Sequence, residues 1–329
     1  MRRRPATATL AALTALTALT AAVTTGCGSD DAEPDPLRGD QWALDALKMP
    51  AAWDTERGDD TVIAVVDTGV DLDHPDLKGR LVDGYDFVDN DDQPKDLNGH
   101  GTHVAGIAAA HTDNGVGVAG GAPGAKIMPV RVLGADGSGT NENITKGIVW
   151  AAQHGADVIN LSLGESGLMA RLLKGGVLNQ AIAVANSKGA VVVAAAGNDS
   201  TILQPYELDT PVLVVNAAGE NGAPASFTNF GAQNAVSAPG VDILSTLPTY
   251  TTKETLKNTS GYGELSGTSM ASPYVSAVAA LLHQQGLDPA AIMKTIQQTA
   301  SNPQKLPKLG LGNVDAAAAV AAGKDAKNK

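Results

Sequence analysis

The chain has 329 residues, of which 43% are hydrophobic and 3% aromatic, and its formal net charge at pH 7 is -12. This apolar content is enough for a large core built from Ala, Val, Leu and Ile, which excludes an intrinsically disordered chain. An acidic surface repels phosphate backbones, so the charge excludes nucleic acid as an expected partner, whereas numerous carboxylates suit cation binding.

The N-terminus is typical of an export leader and not of a folded segment. Three arginines at positions 2–4 precede an apolar stretch at positions 10–23. That stretch is shorter than the ~20 residues that a membrane-spanning helix needs, and it fits a signal peptide over residues 1–26. We therefore expect the mature chain to lie outside the cytoplasm and to lack the three positive charges of the leader.

The sole cysteine, Cys27, stands at the end of this leader, and one cysteine forms no internal disulfide. Its position resembles that of the lipidated cysteine of bacterial lipoproteins, although Thr24 stands where that pattern prefers Leu or Val. Two interpretations stay open: a protein held at the membrane by a lipid on Cys27, or a secreted protein with an incidental thiol. Residues 27–36 are acidic and contain prolines, which predicts a tether.

From residue 60 onward, apolar strands alternate with helices about ten residues long. The predicted strands are 62–66, 127–133, 158–161, 191–196 and 212–215, and the predicted helices are 103–111, 144–154, 177–188 and 273–284. This alternation indicates βαβ units, and therefore an α/β fold with a doubly wound, mostly parallel sheet flanked by helices. We predict one domain over residues 37–321 and a flexible tail at 322–329.

Three residues of this domain can act together chemically. Asp67 ends the first predicted strand, His100 precedes a helix between two glycines, and Ser269 stands just before Pro273, which suits a first helical turn. Singly, they could be a helix cap, a turn histidine and an N-cap serine. A serine becomes a nucleophile when an imidazole accepts its proton and a carboxylate orients that imidazole. The order Asp, His, Ser is specific for one such arrangement.

In that order and in the surrounding residues, the chain resembles the subtilisin-like serine proteases over residues 35–321. The motifs are Val66-Asp67-Thr68-Gly69, Asn98-Gly99-His100-Gly101-Thr102-His103 and Ser266-Gly267-Thr268-Ser269-Met270-Ala271-Ser272-Pro273. The resemblance implies that Ser269 is the nucleophile, His100 the general base and acid, and Asp67 the orienting carboxylate. It also implies that Asn198 donates its amide to the developing oxyanion. The alternative for Asn198 is a turn residue after Gly197.

The same resemblance implies how a polypeptide substrate lies in the cleft. The strand that would pair with the substrate backbone is formed by Ser162, Leu163 and Gly164. The opposite wall of the pocket beside the cleaved bond is formed by small residues, namely Ala194, Ala195 and Gly197. The implied function is that of an exported serine endopeptidase, and we expect it to be a monomer.

A calcium ion is a further expectation from the resemblance, because subtilases commonly bind calcium in the loop after the histidine helix. Calcium takes six to eight oxygen ligands. The side-chain candidates are Asp35, Asp76 and Asn114, and the carbonyl candidates are Thr112, Val116 and Val118. The alternative is an empty Asn-Gly turn among surface carboxylates.

Two other patterns carry less weight. Residues 115–120 match G-x-G-x-x-G, but a dinucleotide fingerprint follows a strand, and this segment follows a predicted helix. His100 and His103 have the proximity of a zinc pair, but no neighbouring Glu and no third ligand accompany them. Neither pattern therefore predicts a cofactor.

Two departures from the family keep a rival function open. The family usually continues after the serine with Pro-His-Val-Ala-Gly, whereas this chain has Pro-Tyr-Val-Ser-Ala at 273–277. The tether at 27–36 is also too short for the folding prodomain that secreted subtilases usually carry. Both features would suit a catalytically silent subtilase fold that serves as a membrane-held binding or scaffold protein. Within the protease class, a dedicated precursor-processing enzyme is the alternative.

Overall fold

The computed structural model describes residues 33–163, 176–202, 206, 209–252 and 259–327. Glu33–Lys329 forms one compact unit. Cys27, the leader and Gly164 lie outside the described residues. Within the described ranges, no helix combines the length and the apolar character that crossing a bilayer requires.

Nine strands are described, and seven of them form one parallel sheet. In chain order they are β1 (Val62–Asp67), β2 (Tyr85–Asp86), β3 (Lys126–Arg131), β4 (Val158–Leu161), β5 (Val191–Ala195), β6 (Val212–Ala218), β7 (Val236–Pro239), β8 (Ile243–Thr246) and β9 (Tyr262–Leu265). The sheet order is β2-β3-β1-β4-β5-β6-β7, with every neighbouring pair parallel. β8 and β9 form a separate antiparallel pair.

The described helices cover both faces of this sheet. They are α1 (Trp42–Ala46), α2 (Met49–Trp53), α3 (His100–Ala109), α4 (Asn141–Gln153), α5 (Val177–Ser187), α6 (Thr268–Gln284), α7 (Pro289–Thr299) and α8 (Ala316–Lys327). Alternate residues of β1 enter two separate cores. Ile63 and Val65 pack with α3 and α6, whereas Ala64 and Val66 pack with α4 and α5. The predicted α/β class and parallel sheet are confirmed.

The strand order reverses at β1, because β3 lies on one side of it and β4 on the other. In open α/β sheets, ligands bind outside the carboxyl ends of the strands at such a switch point. Asp67 is the last residue of β1. The carboxyl end of β1 is therefore where the topology predicts a functional site.

The two segments that flank the predicted domain are packed or helical where the structure describes them. The described part of the predicted tether is packed, because the buried Asp35 carboxylate accepts the N–H groups of Asp113 and Asn114 at 2.9 Å each. The predicted flexible tail is helical as far as Lys327. At Gly323 an added Cβ would lie 2.1 Å from Oε1 of Gln285, so α8 packs closely against the end of α6.

Candidate active site

Asp67 and His100 form the central contact of the site. The side chain of Asp67 is 0% exposed, and its Oδ1 lies 2.7 Å from Nδ1 of His100. The same oxygen accepts the N–H of Thr68 at 2.7 Å. Because a carboxylate only accepts, Nδ1 of the ring carries the proton and Nε2 is left as the basic nitrogen. His100 is therefore held in the tautomer that a general base requires.

A second buried carboxylate, Asp96, fixes the segment that leads into His100, and no sequence motif pointed to this role. Its five donors, at 2.6–2.9 Å, are Oγ1 of Thr68, the N–H groups of Asn98 and Gly99, and both N–H and Oγ1 of Thr102. Burial raises the pKa of Asp96, and these hydrogen bonds oppose the rise. Because Thr68 follows Asp67 and Gly99 precedes His100, Asp96 ties together the two segments that meet at the site.

Close backbone approach also depends on Gly101, the second residue of α3. A Cβ at this position would lie 2.1 Å from the carbonyl oxygen of Gly69 in the loop after β1. No side chain fits there without moving that loop. The glycine therefore permits the distance between α3 and β1 that brings His100 onto Asp67.

Ser269 is the second residue of α6, which begins at Thr268. Its hydroxyl donates to the carbonyl oxygen of Ser162 at 3.1 Å. Ser269, His100 and Asn198 line one cleft of about 320 Å³, together with Ser162 and Leu163. Asp67 lies beneath this cleft, in contact with His100. The structure thus brings together the four residues that the sequence singled out.

The amide of Asn198 has a defined orientation. Its Oδ1 accepts the N–H of Thr268 at 2.9 Å and the hydroxyl of Thr268 at 3.0 Å. The hydroxyl oxygen of Thr268 in turn accepts the N–H of Gly197 at 3.0 Å. With the oxygen held in this way, Nδ2 is directed away from Thr268. Asn198 can therefore donate into the cleft that it lines.

Ala194, Ala195 and Gly197 are buried at the end of β5, immediately before Asn198. Their role as a pocket wall stays a prediction.

His103 is likewise buried, and its Nε2 donates to the carbonyl of Gly263 at 3.1 Å. Burial lowers the pKa of His103 to about 3, so the ring stays neutral and bound to the β8-β9 pair.

The three side-chain candidates for calcium binding come from separate segments and meet at Asn114, whose N–H donates to Asp35 and whose Nδ2 donates to Asp76. Asp76 is fully buried, and its carboxylate accepts the N–H of Val118 at 2.9 Å and Nδ2 of Asn114 at 3.0 Å. Burial raises the pKa of Asp76 to about 6, with a contribution from the nearby charge of Asp35. Among the described residues, no three His, Cys, Asp or Glu side chains form a metal cluster. A cation here would therefore depend on amide and carbonyl oxygens as well.

The carbonyl oxygens proposed as calcium ligands are not occupied by backbone hydrogen bonds. The oxygens of Thr112, Val116 and Val118 accept no backbone hydrogen bond from any residue that the structure describes. Val118 is buried and Thr112 half-buried, positions where carbonyls usually have a partner, whereas Val116 is exposed. The two carboxylates, the Asn114 amide and these carbonyls fit the hard-oxygen set that calcium prefers.

Comparison with known proteins identifies the family. A sequence model described as the Subtilase family matches residues 58–319. The chain belongs to the subtilase family. This match runs from before β1 into the first turn of α8 and includes Asp67, His100, Asn198 and Ser269.

The individual relatives of this subtilase are proteases by name. It is 48% identical over 252 residues to the thermophilic serine proteinase of Bacillus sp. strain AK1, covering 76% of this chain and 59% of that protein. It is 45% identical over 261 residues to thermitase of Thermoactinomyces vulgaris, covering 79% and 88%. A solved protease structure from Pseudoalteromonas arctica superposes with a TM-score of 0.78 at 36% identity, covering 89% and 99%. The chain thus spans less than two thirds of the first relative's length.

Proposed function

We propose that this chain is an exported serine endopeptidase that hydrolyses peptide bonds through an acyl-enzyme on Ser269. The observation that carries this proposal is the 2.7 Å contact between Nδ1 of His100 and the buried Asp67, beside a cleft that Ser269 and Asn198 line. The names of the Bacillus proteinase and of thermitase support the same reaction. The apolar leader supports export.

The chemistry follows from the contacts. Oγ of Ser269 turns from the Ser162 carbonyl towards Nε2 of His100, which takes its proton as Oγ attacks the substrate carbonyl. Asp67 accepts Nδ1–H throughout and stabilises the imidazolium. His100 then gives the proton to the leaving amine, and a water molecule repeats the sequence to release the acid. Nδ2 of Asn198 and the Ser269 N–H donate to the oxyanion in both halves.

Hydrolysis of a denatured protein tests the proposed function. We expect purified chain to degrade reduced, unfolded casein, and phenylmethylsulfonyl fluoride to abolish that degradation by reacting with Ser269. The rival, a silent scaffold, predicts neither degradation nor sulfonylation. The scaffold is disfavoured because the buried acid, the imidazole, the serine and the cleft amide are all retained.

Asn198→Ala is expected to lower kcat by about 10²–10³, the loss known for the oxyanion asparagine of subtilisin, with little change in KM. The reason is that Nδ2 of Asn198 would donate mainly to the charged transition state. Steady-state kinetics on a peptide anilide measure the effect. Asn141→Ala, exposed at the start of α4, is the matched control and leaves kcat unchanged. A tenfold rise in KM at unchanged kcat would contradict this role.

We also propose that residues 162–164 bind the substrate backbone as an added strand, with Ala194, Ala195 and Gly197 as the facing wall. The position of Ser162 and Leu163 along the cleft supports the strand. Peptide segments gain affinity from main-chain hydrogen bonds when they extend an existing strand. N-methylation of the substrate amides that pair with this strand should therefore raise KM.

A structural calcium ion is proposed for the site where Asp35, Asp76 and Asn114, from three separate segments of the chain, come together. Bound calcium would neutralise two buried carboxylates and tie the packed end of the tether to the loop after α3. The carbonyls of Val118 and Thr112, which accept no backbone hydrogen bond from the described residues, support this assignment. No step of the reaction passes through this ion, since none of its candidate ligands lines the cleft.

Chelation tests the calcium proposal. We expect EDTA to lower Tm by at least 5 °C, because occupying a site at about 100 times its Kd stabilises a protein by ~2.7 kcal/mol. Added calcium should restore Tm. Asp76→Asn should have a low Tm that no longer responds to EDTA, whereas Asp325→Asn, exposed on α8, should respond like the parent. An unchanged Tm of the parent chain in EDTA would contradict the proposal.

For localisation, we propose a lipid anchor on Cys27. Its support is the lone cysteine at the end of the leader. We expect the expressed chain to fractionate with membranes and its N-terminal peptide to carry the mass of a diacylglycerol group. Cys27→Ser should move it to the soluble extracytoplasmic fraction. Parent protein found entirely in the medium, with an unmodified thiol, would contradict the anchor and leave the secreted form.

A further inference from the structure

Three serines occupy one face of α6, the helix that carries the nucleophile. Ser269, Ser272 and Ser276 are separated by three and four residues, so they align along the helix. They face Asn160 of β4 and Ser162, which directly follows β4. Both of these side chains point towards α6. All five side chains are at most 5% exposed. A polar network of this kind in a core is costly unless every member is satisfied.

Helix α6 lacks one backbone hydrogen bond, at the carbonyl of Ser269, the proposed nucleophile. In an α-helix the carbonyl of Ser269 would accept the N–H of the residue four positions later. That residue is Pro273, which has no N–H and whose ring crowds the same carbonyl. The sequence predicts a first-turn position for Pro273, but α6 begins at Thr268, so the proline is its sixth residue. The Ser269 carbonyl therefore needs a donor from outside the helix.

Ser162 is that donor. Its Oγ lies 2.8 Å from the carbonyl oxygen of Ser269. The same Oγ lies 2.9 Å from Nδ2 of Asn160 and 2.8 Å from Oγ of Ser272. Since an amide N–H₂ only donates and a carbonyl only accepts, the single proton of Ser162 goes to Ser269. Ser272 then donates to Ser162, so the direction of each of the three hydrogen bonds at the Ser162 hydroxyl is determined.

Ser276 secures the amide at the centre of this network. Its hydroxyl lies 2.9 Å from Oδ1 of Asn160 and 3.2 Å from the carbonyl oxygen of Ser272, and donation over the shorter contact keeps Nδ2 of Asn160 turned towards Ser162. The family usually has alanine at this place, so the bond belongs to a departure of this chain. Ser276 thus supports the orientation in which Ser162 is free to donate its proton to Ser269.

We propose that Ser162 is a positioning residue for the nucleophile: its hydroxyl replaces the helix hydrogen bond that Pro273 cannot make, and Asn160 with Ser276 fixes the direction of that bond. This inference rests on the proposed function. Ser269 is held twice by Ser162, because its own Oγ donates to the Ser162 carbonyl. Losing the Ser162 hydroxyl would let the Ser269–Met270 peptide group tilt and would displace the attacking oxygen.

The first measurement is the kinetics of Ser162→Ala. An unsatisfied buried carbonyl costs enough to change a rate about tenfold or more. We expect kcat and the rate of labelling by a fluorophosphonate both to fall about tenfold, with KM unchanged, because the substrate pairs with the backbone at this position. Ser237→Ala is the matched control, since it removes a buried serine that donates to the Leu309 carbonyl at 3.1 Å in edge strand β7. It should lower Tm and leave kcat and labelling unchanged.

The second measurement is a double-mutant cycle with Pro273→Ala. Alanine at 273 restores an N–H that can reach the Ser269 carbonyl within the helix, so it should make the Ser162 hydroxyl less important. We expect the kcat defect of Ser162→Ala to shrink at least threefold in the Pro273→Ala background. Equal defects in both backgrounds would overturn the proposal.

Asn160→Asp provides an independent test should the double variant fail to fold. In place of the Asn160 Nδ2, which donates to the Ser162 hydroxyl, the aspartate presents a carboxylate oxygen, which only accepts. The Ser162 proton would therefore be drawn away from the Ser269 carbonyl. We expect a labelling rate at pH 8 at least as low as that of Ser162→Ala. Parent-like labelling of Ser162→Ala and Asn160→Asp would overturn the inference alone, whereas a parent chain that is not labelled at all would overturn the proposed function.

Discussion

Ser269→Ala is expected to lower kcat by a factor on the order of 10⁶, the loss known for the nucleophile of subtilisin. The hydroxyl of Ser269 would be the only group that forms the acyl-enzyme, so its removal eliminates both halves of the reaction. Residual hydrolysis above the water rate should persist, because Asn198 and the cleft would still bind the developing oxyanion. Peptide-anilide hydrolysis at high enzyme concentration measures the effect.

The control for this change is Ser301→Ala, an exposed serine outside the cleft. It should retain the kcat and KM of the parent. The folded state of Ser269→Ala should also match the parent in Tm, since the hydroxyl makes one hydrogen bond at 3.1 Å. A variant that keeps even a hundredth of the parent kcat would show that another group attacks the substrate.

Asp67→Asn is expected to lower kcat about 10⁴-fold at neutral pH, as the corresponding change does in a Ser-His-Asp protease. Asp67 Oδ1 accepts Nδ1–H of His100 at 2.7 Å from a fully buried position. An amide removes the charge that stabilises the imidazolium, and its N–H₂ group favours the wrong tautomer when it faces the ring. The expected defect lies in kcat, with KM close to that of the parent.

The pH profile of kcat/KM distinguishes this role from a structural one. Asp67→Asn should change its acid limb, which reports the essential imidazole. Asp325→Asn, on the exposed surface of α8, should leave both limbs in place. A kcat for Asp67→Asn within tenfold of the parent would show that the acid does not orient His100.

Much of the fold could be predicted from the sequence because the strands are buried on both faces and appear as continuous apolar runs. Strand β4 has the predicted bounds, Val158–Leu161, and α5 differs by one residue from its predicted end. The two-residue strand β2 was not predicted, and neither were β7, β8 and β9. They are four residues each, and Val236–Pro239 contains Ser and Pro, which weaken a strand pattern.

The start of α6 shows why a helix boundary can depend on distant residues. Proline inside a helix normally ends or kinks it, so a first-turn position for Pro273 was the natural expectation. The structure keeps the helix intact from Thr268, because Ser162, which directly follows β4 and is 107 residues away in sequence, supplies the missing donor. No local pattern encodes that contact.

The residues of the candidate site likewise fall into two groups, those that could be predicted from the sequence and those that could not. Asp67, His100 and Ser269 stand in short motifs and could be predicted, whereas the residues that hold them could not. Asp96 acts through hydrogen bonds to both segments of the site, and Thr268 orients Asn198 across a separation of 70 residues. Such supporting residues become visible only when strand ends and helix starts are brought together.

Mapping a covalent fluorophosphonate adduct tests the central claim most directly. Purified chain is labelled, digested and analysed by mass spectrometry, beside Ser269→Ala and Asp67→Asn. We predict one adduct per chain on the peptide that contains Ser269, no adduct in Ser269→Ala, and slow labelling of the same peptide in Asp67→Asn. An unlabelled parent chain, or an adduct on a different residue, would contradict the account.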